Sequence, residues 1–261
     1  MGSVRRVATI ARHTFKESVR ERVLYNLIVF ALLLIAAAIL FGTISVGIEE
    51  IILVNLGLSS ISVFGLLMAI FIGIGLVSKE IERRTIYNIL SKPVTRAEFI
   101  VGKYFGLLLT LLVNTLIMTS GFYLALLYEK RRLEAADLVP LGAICFILLQ
   151  FALVVAVAIF FSCISTPILS AVFTFCLYVI GNLLGDIRWF GQESQSRALE
   201  MLTSTLYYLL PNFGDFNFIA RAAHGESVPS YLLVSNTCYA ALYVTVLISA
   251  AVLIFEEREF R

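Results

Sequence analysis

Charge is scarce in this sequence. Only 15% of its 261 residues are Asp, Glu, Lys or Arg, while 60% are hydrophobic and mean hydropathy is +0.94. A soluble domain carries nearer a quarter charged residues, so that class is excluded. Histidine occurs only as His13 and His224, both outside the apolar runs, and no His-Glu-x-x-His is present. Ser59 in Gly57-x-Ser59 therefore has no histidine base nearby in the membrane, which argues against a serine enzyme. The four cysteines (Cys145, Cys163, Cys176, Cys238) lie in apolar runs without CxxC spacing. They read as small buried residues, not as a disulfide set or zinc site. Met68, Met118 and these cysteines are scattered over different runs, so no copper or other metal site is expected. A phosphate loop of the form G-x-x-x-x-G-K-[ST] is also missing, because Gly102–Lys103 is followed by Tyr104 and lacks the first glycine. The chain itself is expected to have no catalytic residue and no cofactor. A net charge of +2 gives no footprint for nucleic acid.

What the sequence does contain is six uncharged apolar runs, at about 24–47, 52–77, 104–127, 139–164, 168–185 and 232–255. A hydrocarbon layer about 30 Å thick needs roughly 20 such residues in a helix. Runs of this length without alternation predict helices rather than barrel strands. The fold class is thus all-α integral membrane, with six transmembrane helices. The first run is too long for the apolar core of a cleavable signal. Six spans place both termini on one side. The N-terminus, the 78–103 loop and the tail hold fourteen basic residues, against six in the remaining connections. The positive-inside rule then predicts N-in and C-in.

Residues 1–23 read as an N-terminal amphipathic interfacial helix. Val4, Val7, Ala8, Ala11, Phe15 and Val19 recur at three- and four-residue steps, with Arg12, Lys16 and Arg20 on another stripe. A plain solvated basic N-terminus is the other reading. The 186–231 segment contains short outer helices. Leu199, Leu202, Leu206, Leu209 and Leu210 predict a half-buried helix stopping at Pro211, and 216–223 predicts a second, closed by Gly225. These pieces are too short to span. Dipping into the bilayer and lying on it as a lid both fit.

The polar passage VSKEIERRTIYNILSKPVTRAEFIVGKYFG interrupts the apolar runs. Ile81, Thr85, Ile86, Ile89 and Leu90 line one side of a predicted helix, with Glu80, Arg83, Arg84 and Lys92 away from it. Pro93 ends it. Thr95-Arg96-Ala97-Glu98 then reads as a capping box opening a helix that continues into the third span. A docking lever for a partner and an ordinary loop whose charges fix topology both remain open on these grounds.

This passage resembles the signature region of ABC-2 type transporter permeases. The matching features are Glu80 or Glu82, Thr85, Ile89–Leu90, Pro93, Arg96 and Gly102–Lys103. The six spans, the basic N-terminal helix and YYLLPNFGDFNF before the last span are similar to single-chain, six-span members, among them permeases of copper-enzyme maturation systems. The resemblance implies one transmembrane domain over 1–261, and that 78–103 is a cytoplasmic coupling helix seated in a separate P-loop ATPase. Glu80, Glu82, Arg83, Arg84, Thr85, Ile86, Ile89, Leu90, Pro93 and Arg96 would form that coupling surface. It further implies two ATPases holding ATP and Mg, a second copy of this chain, a bacterial or archaeal cytoplasmic (inner) membrane, and export of an amphipathic or lipid-like solute. The 186–231 segment would be an outer gate.

Polar residues within the spans have two readings. Asn55, Ser59, Ser62, Asn114 and Asn182 are candidates to line a path, and equally candidates for helix–helix hydrogen bonds. Gly102-x-x-x-Gly106 and Gly181-x-x-x-Gly185 permit close helix approach within one chain or between two. Two rival functions are a stand-alone channel or carrier, and a membrane-embedded enzyme or assembly factor. The absence of ionisable residues and interior prolines from the spans counts against an ion-coupled carrier.

Overall fold

The computed structural model describes residues 2–44, 47–82, 95–132, 134–194 and 196–257. Among them no strand occurs. In chain order the helices are α1 (Ser3–Ser18), α2 (Arg22–Ile44), α3 (Glu49–Glu82), α4 (Arg96–Lys130), α5 (Val139–Ile164), α6 (Pro167–Glu193), α7 (Arg197–Leu209), α8 (Ile219–Ala223) and α9 (Ser230–Glu257). Short 3-10 turns occupy Ala135–Leu138 and Gly214–Phe216. Helices α2, α3, α4, α5, α6 and α9 are each long and apolar enough to cross a membrane. The chain is a multi-pass membrane protein.

Helices α3, α4 and α5 are mostly buried, whereas α2, α6 and α9 are mostly exposed. Leu153 to Ile159 on α5 are all buried, so that helix is surrounded on every side. Helix α2 instead buries one stripe, Leu24, Ile28, Ala31, Ile35 and Ala38, at alternating four- and three-residue steps. Its opposite face, including Phe30, Leu33 and Phe41, is exposed. In water that surface would drive aggregation; against lipid tails it is at home. Lipid supplies no hydrophobic drive between helices, so close packing decides their contacts. Gly65 of α3 shows this, since a Cβ there would collide with the Phe151 ring of α5.

Proline and glycine set several boundaries. Pro140 and Pro167 stand in the first turns of α5 and α6, where a missing N–H costs nothing. Gly47 takes φ +90 in the tight α2–α3 turn. Near that turn Lys130 pairs with Glu50 at 2.5 Å and with Asp137 at 2.6 Å, tying the α2–α3 and α4–α5 connections together.

Two expectations about faces need correction. Helix α1 ends at Ser18, and Val4 and Ala8 of its apolar stripe are exposed. Its inward face is instead Val7, Ile10, Ala11, Thr14 and Ser18, because it is fitted to two glycines on α4. Helix α7 stops before Pro211 as its sequence implies, but Leu199, Leu202 and Leu209 point outward. Thr203 packs against Gly191 of α6 instead.

Candidate functional site

The start of α4 follows directly on the polar passage and gathers three helices. Thr95 caps α4 in an extended conformation. The Glu98 N–H donates to Thr95 Oγ1 at 3.2 Å, and the Thr95 N–H donates to Glu98 Oε2 at 3.1 Å. This reciprocal pair satisfies two otherwise orphaned donors. The same carboxylate receives Arg6 of α1 in a two-pronged contact, Nε to Oε2 at 2.9 Å and Nη2 to Oε1 at 2.7 Å. Fork geometry of this kind fixes orientation as well as distance. The Glu98 hydrogen bond pushes the Arg6 guanidinium further above its ordinary pKa.

Arg96 points the other way, to the end of α9. Its Nη1 donates to the carbonyls of Phe255 and Glu256, both at 2.7 Å. A cation at a helix C-terminus meets unpaired carbonyls and the negative end of the dipole. Phe99 and Phe255 stack beside it with centroids 6.1 Å apart. Lys103, only 2% exposed, lies 3.6 Å from Glu17 of α1. Gly102 and Gly106 let α1 approach α4 closely, with Ile10, Ala11 and Thr14 where side chains would otherwise stand. This glycine pair therefore works within one chain. Both described chain ends thus meet at one end of the bundle, here called the terminal end.

Of the coupling residues read from sequence, Glu80 and Glu82 fall in the last turn of α3. Arg83, Arg84, Thr85, Ile86, Ile89, Leu90 and Pro93 lie outside the described residues. Helices α3 and α4 have 34 and 35 residues, and each is about 50 Å long at 1.5 Å per residue. Both exceed a hydrocarbon layer of roughly 30 Å. Their overhang at the terminal end leads into and out of the polar passage.

At the opposite end the chain turns inward between α7 and α8. Pro211, Asn212, Phe213, Phe216 and Phe218 are all buried. The Phe213 N–H donates to the Gly181 carbonyl at 3.0 Å, and Gln150 Nε2 donates to the Phe213 carbonyl at 3.3 Å. The Asn212 N–H donates to the Tyr239 hydroxyl at 2.9 Å, and Tyr243 donates to the Tyr208 carbonyl at 3.1 Å. Gln150 stands eleven residues into α5, about 16 Å from its start. The segment is therefore seated among the helices about three turns along α5. Irregular backbone survives at such depth only when protein groups satisfy it. Within 186–231 it is the 211–218 stretch that is turned in among the helices, while much of α7 is exposed.

A family model described as ABC-2 family transporter protein matches residues 8–259, nearly the whole chain. The chain belongs to the ABC-2 transporter family. As an ABC-2 permease it is the membrane component of an ABC transporter, and such permeases work with an ATPase subunit. No curated protein matches the chain.

The ABC-2 permease does not bring its five candidate path residues together. Asn55 is exposed, with the Ser59 hydroxyl 3.4 Å from its carbonyl oxygen. Asn114 is buried between α3 and α4, where its amide donates to Met68 Sδ at 3.5 Å. Asn182 donates back to its own helix, to the Tyr178 carbonyl at 2.8 Å. Ser62 joins Asn182 and Gln150 around the Tyr178 side chain. Gln150 and Arg6 carry more of the architecture than the sequence reading assigned them. Nothing near Arg6 in sequence distinguishes it from the other basic residues of α1.

Asn114 allows a direct test of the two readings of polar span residues. A thioether is a weak acceptor, so the buried amide gains little there. Asn114→Leu in the purified ABC-2 permease is expected to leave Tm unchanged or raise it, with transport intact. Loss of transport at unchanged Tm would make Asn114 part of the solute path.

Proposed function

We propose that this chain is one half of a homodimeric exporter driven by two copies of a separate P-loop ATPase. The observation that carries this reading is the junction at the start of α4. A push on the 79–91 segment reaches Thr95, and from there α4, α1 and α9 are joined by Glu98, Arg6 and Arg96. One displacement thus moves three helices together, which is what nucleotide-driven switching requires of a permease. ATP and Mg are held by the partner, whose closure supplies the force. The basic terminal end faces the cytoplasm of a bacterial or archaeal cell, following the positive-inside rule. The seated 211–218 segment is the outer gate. The spans are uncharged, which favours an amphipathic or lipid-like solute over a free ion.

Co-purification from native membrane tests the assembly. A tightly bound P-loop ATPase at one copy per permease is expected, on a permease dimer. Ile86→Asp puts a charge on the apolar side of the predicted docking helix. It is expected to abolish ATPase recruitment while membrane insertion and Tm stay normal. Normal recruitment by this variant refutes the docking surface. Solute movement in liposomes without any ATPase would instead establish a stand-alone channel or carrier.

A further inference from the structure

Phe213 is held as a whole residue, through its N–H, its carbonyl and its ring. The N–H donates to the Gly181 carbonyl of α6 at 3.0 Å. The carbonyl accepts from Gln150 Nε2 of α5 at 3.3 Å, and its second lone pair takes the Phe216 N–H of the segment's own turn. The ring lies where a Cβ on Gly181 would stand, 5.3 Å from the Tyr178 ring, and the residue is only 1% exposed. Hydrogen bonds with Ser62, Gln150 and Asn182 converge on the Tyr178 side chain, which fixes both the wall of this notch and the amide beside it. None of these partners is charged.

Such a seat discriminates. Its acceptor on α6 and its donor on α5 match the N–H and the carbonyl of one amino-acid unit of one hand, and the notch takes an aryl side chain. An ester has no N–H for Gly181, and a charged terminus meets no counter-ion. Lifting the segment strips Gln150 Nε2 and the Tyr239 hydroxyl of their partners in apolar surroundings, which opposes opening. A solute that presents the same groups removes that cost. With Phe213 in place the seat is full, so such a solute binds only the opened form and shifts the balance toward it.

We propose that the seat under 211–218 is a solute-binding site for an uncharged secondary amide bearing an aryl side chain, of the kind found inside a hydrophobic peptide, and that Phe213 occupies it as the chain's own stand-in. This assignment rests on the reading of 211–218 as the outer gate and names the class of amphipathic solute that opens it. The Gly181 carbonyl and the Gln150 amide recognise the solute's backbone. Gly181 and Tyr178 set the room for its ring.

The probe is N-octanoyl-L-phenylalanine methylamide. Its controls are the D enantiomer, which partitions identically into an achiral detergent, and the ester in which oxygen replaces the phenylalanine N–H. Equilibrium dialysis against the full-length permease measures binding. Phe213→Ala empties the notch and is expected to bind the L form about tenfold more tightly than the wild type does. The same variant should bind the D form and the ester about tenfold less tightly than the L form. Adding Gln150→Leu to Phe213→Ala should weaken L binding by about tenfold as well. Should Phe213→Ala fail to fold, Phe213→Cys in a background without the four native cysteines supplies the readout. The L probe should speed reaction of that thiol with a membrane-impermeant reagent by about fivefold, and the D form should not. Equal binding of the enantiomers, no gain in Phe213→Ala, or equal thiol rates with either enantiomer would overturn the proposal. Selective binding without export of the L form by the ATPase complex keeps the seat and removes the exporter. Export that moves both enantiomers alike, without selective binding, keeps the exporter and removes the seat.

Discussion

Gly106→Leu is expected to detach α1 from the bundle, whereas Gly185→Leu, in the same sequence pattern, is expected to fold normally. A Cβ at Gly106 would stand 2.6 Å from the Ala11 carbonyl oxygen and 2.6 Å from Thr14 Cβ. The carbonyl belongs to a helix backbone and cannot swing aside. Overpacking of this kind costs about 1–3 kcal/mol at sites that still adjust. Here the adjustment available is withdrawal of α1, which also pulls Arg6 off Glu98. Hydrogen exchange should show lost protection across residues 3–18, with a lower Tm. Unchanged protection there would refute this account of the α1–α4 contact. At Gly185 a Cβ meets nothing within 4 Å, so leucine finds room. If Gly185→Leu keeps its Tm but loses self-association, that glycine belongs to a contact between copies.

Gly181→Ala is the second large effect. A Cβ there would lie 2.5 Å from the Pro211 carbonyl oxygen and would strike the Phe213 ring. Pro211–Phe213 must then leave its seat, and the bonds from Phe213 N–H to Gly181 and from Gln150 to Phe213 go with it. Each backbone group left unpaired in apolar surroundings costs on the order of several kcal/mol. The variant should show a much lower Tm and a loosened end opposite the chain termini. Phe213→Cys, in a background with the four native cysteines replaced by alanine, reports on the seat. Its thiol should react slowly with a membrane-impermeant reagent when Gly181 is present, and at least tenfold faster with Gly181→Ala. Equal rates would mean that Gly181 does not hold the segment.

Much of the architecture was legible because bilayer thickness and helix rise leave few solutions. Each of the six apolar runs coincides with a helix, and Thr95 and Glu98 announce the start of α4 by their spacing alone. Which face of a helix packs inward was harder to read. Val4 and Ala8 look like part of a seam on α1, but Gly102 and Gly106, some ninety residues on, select Val7, Ile10, Ala11 and Thr14. The leucines of α7 misled in the same way, since the seam there is set by Gly191 against Thr203. In a membrane an outward leucine is as comfortable as an inward one, so apolar periodicity loses its direction. Polar span residues were hard to read for another reason: Asn182 donates to its own helix and also meets Ser62 and Gln150 around Tyr178, a convergence of three helices that polarity in the sequence does not announce.

The seat of the 211–218 segment has a consequence for how this chain is made. Tyr239 and Asn236, which hold it from one side, and Tyr243, which holds the end of α7 just before it, all come from α9. The contacts of α1 with α4 need only the first half of the sequence. During synthesis the α1–α4 corner at the terminal end can therefore assemble while the ribosome is still translating. Phe213 and Phe218 can settle against α6 and α5 as they emerge, but Phe216, whose ring faces Tyr239, has to wait until α9 has been released into the bilayer.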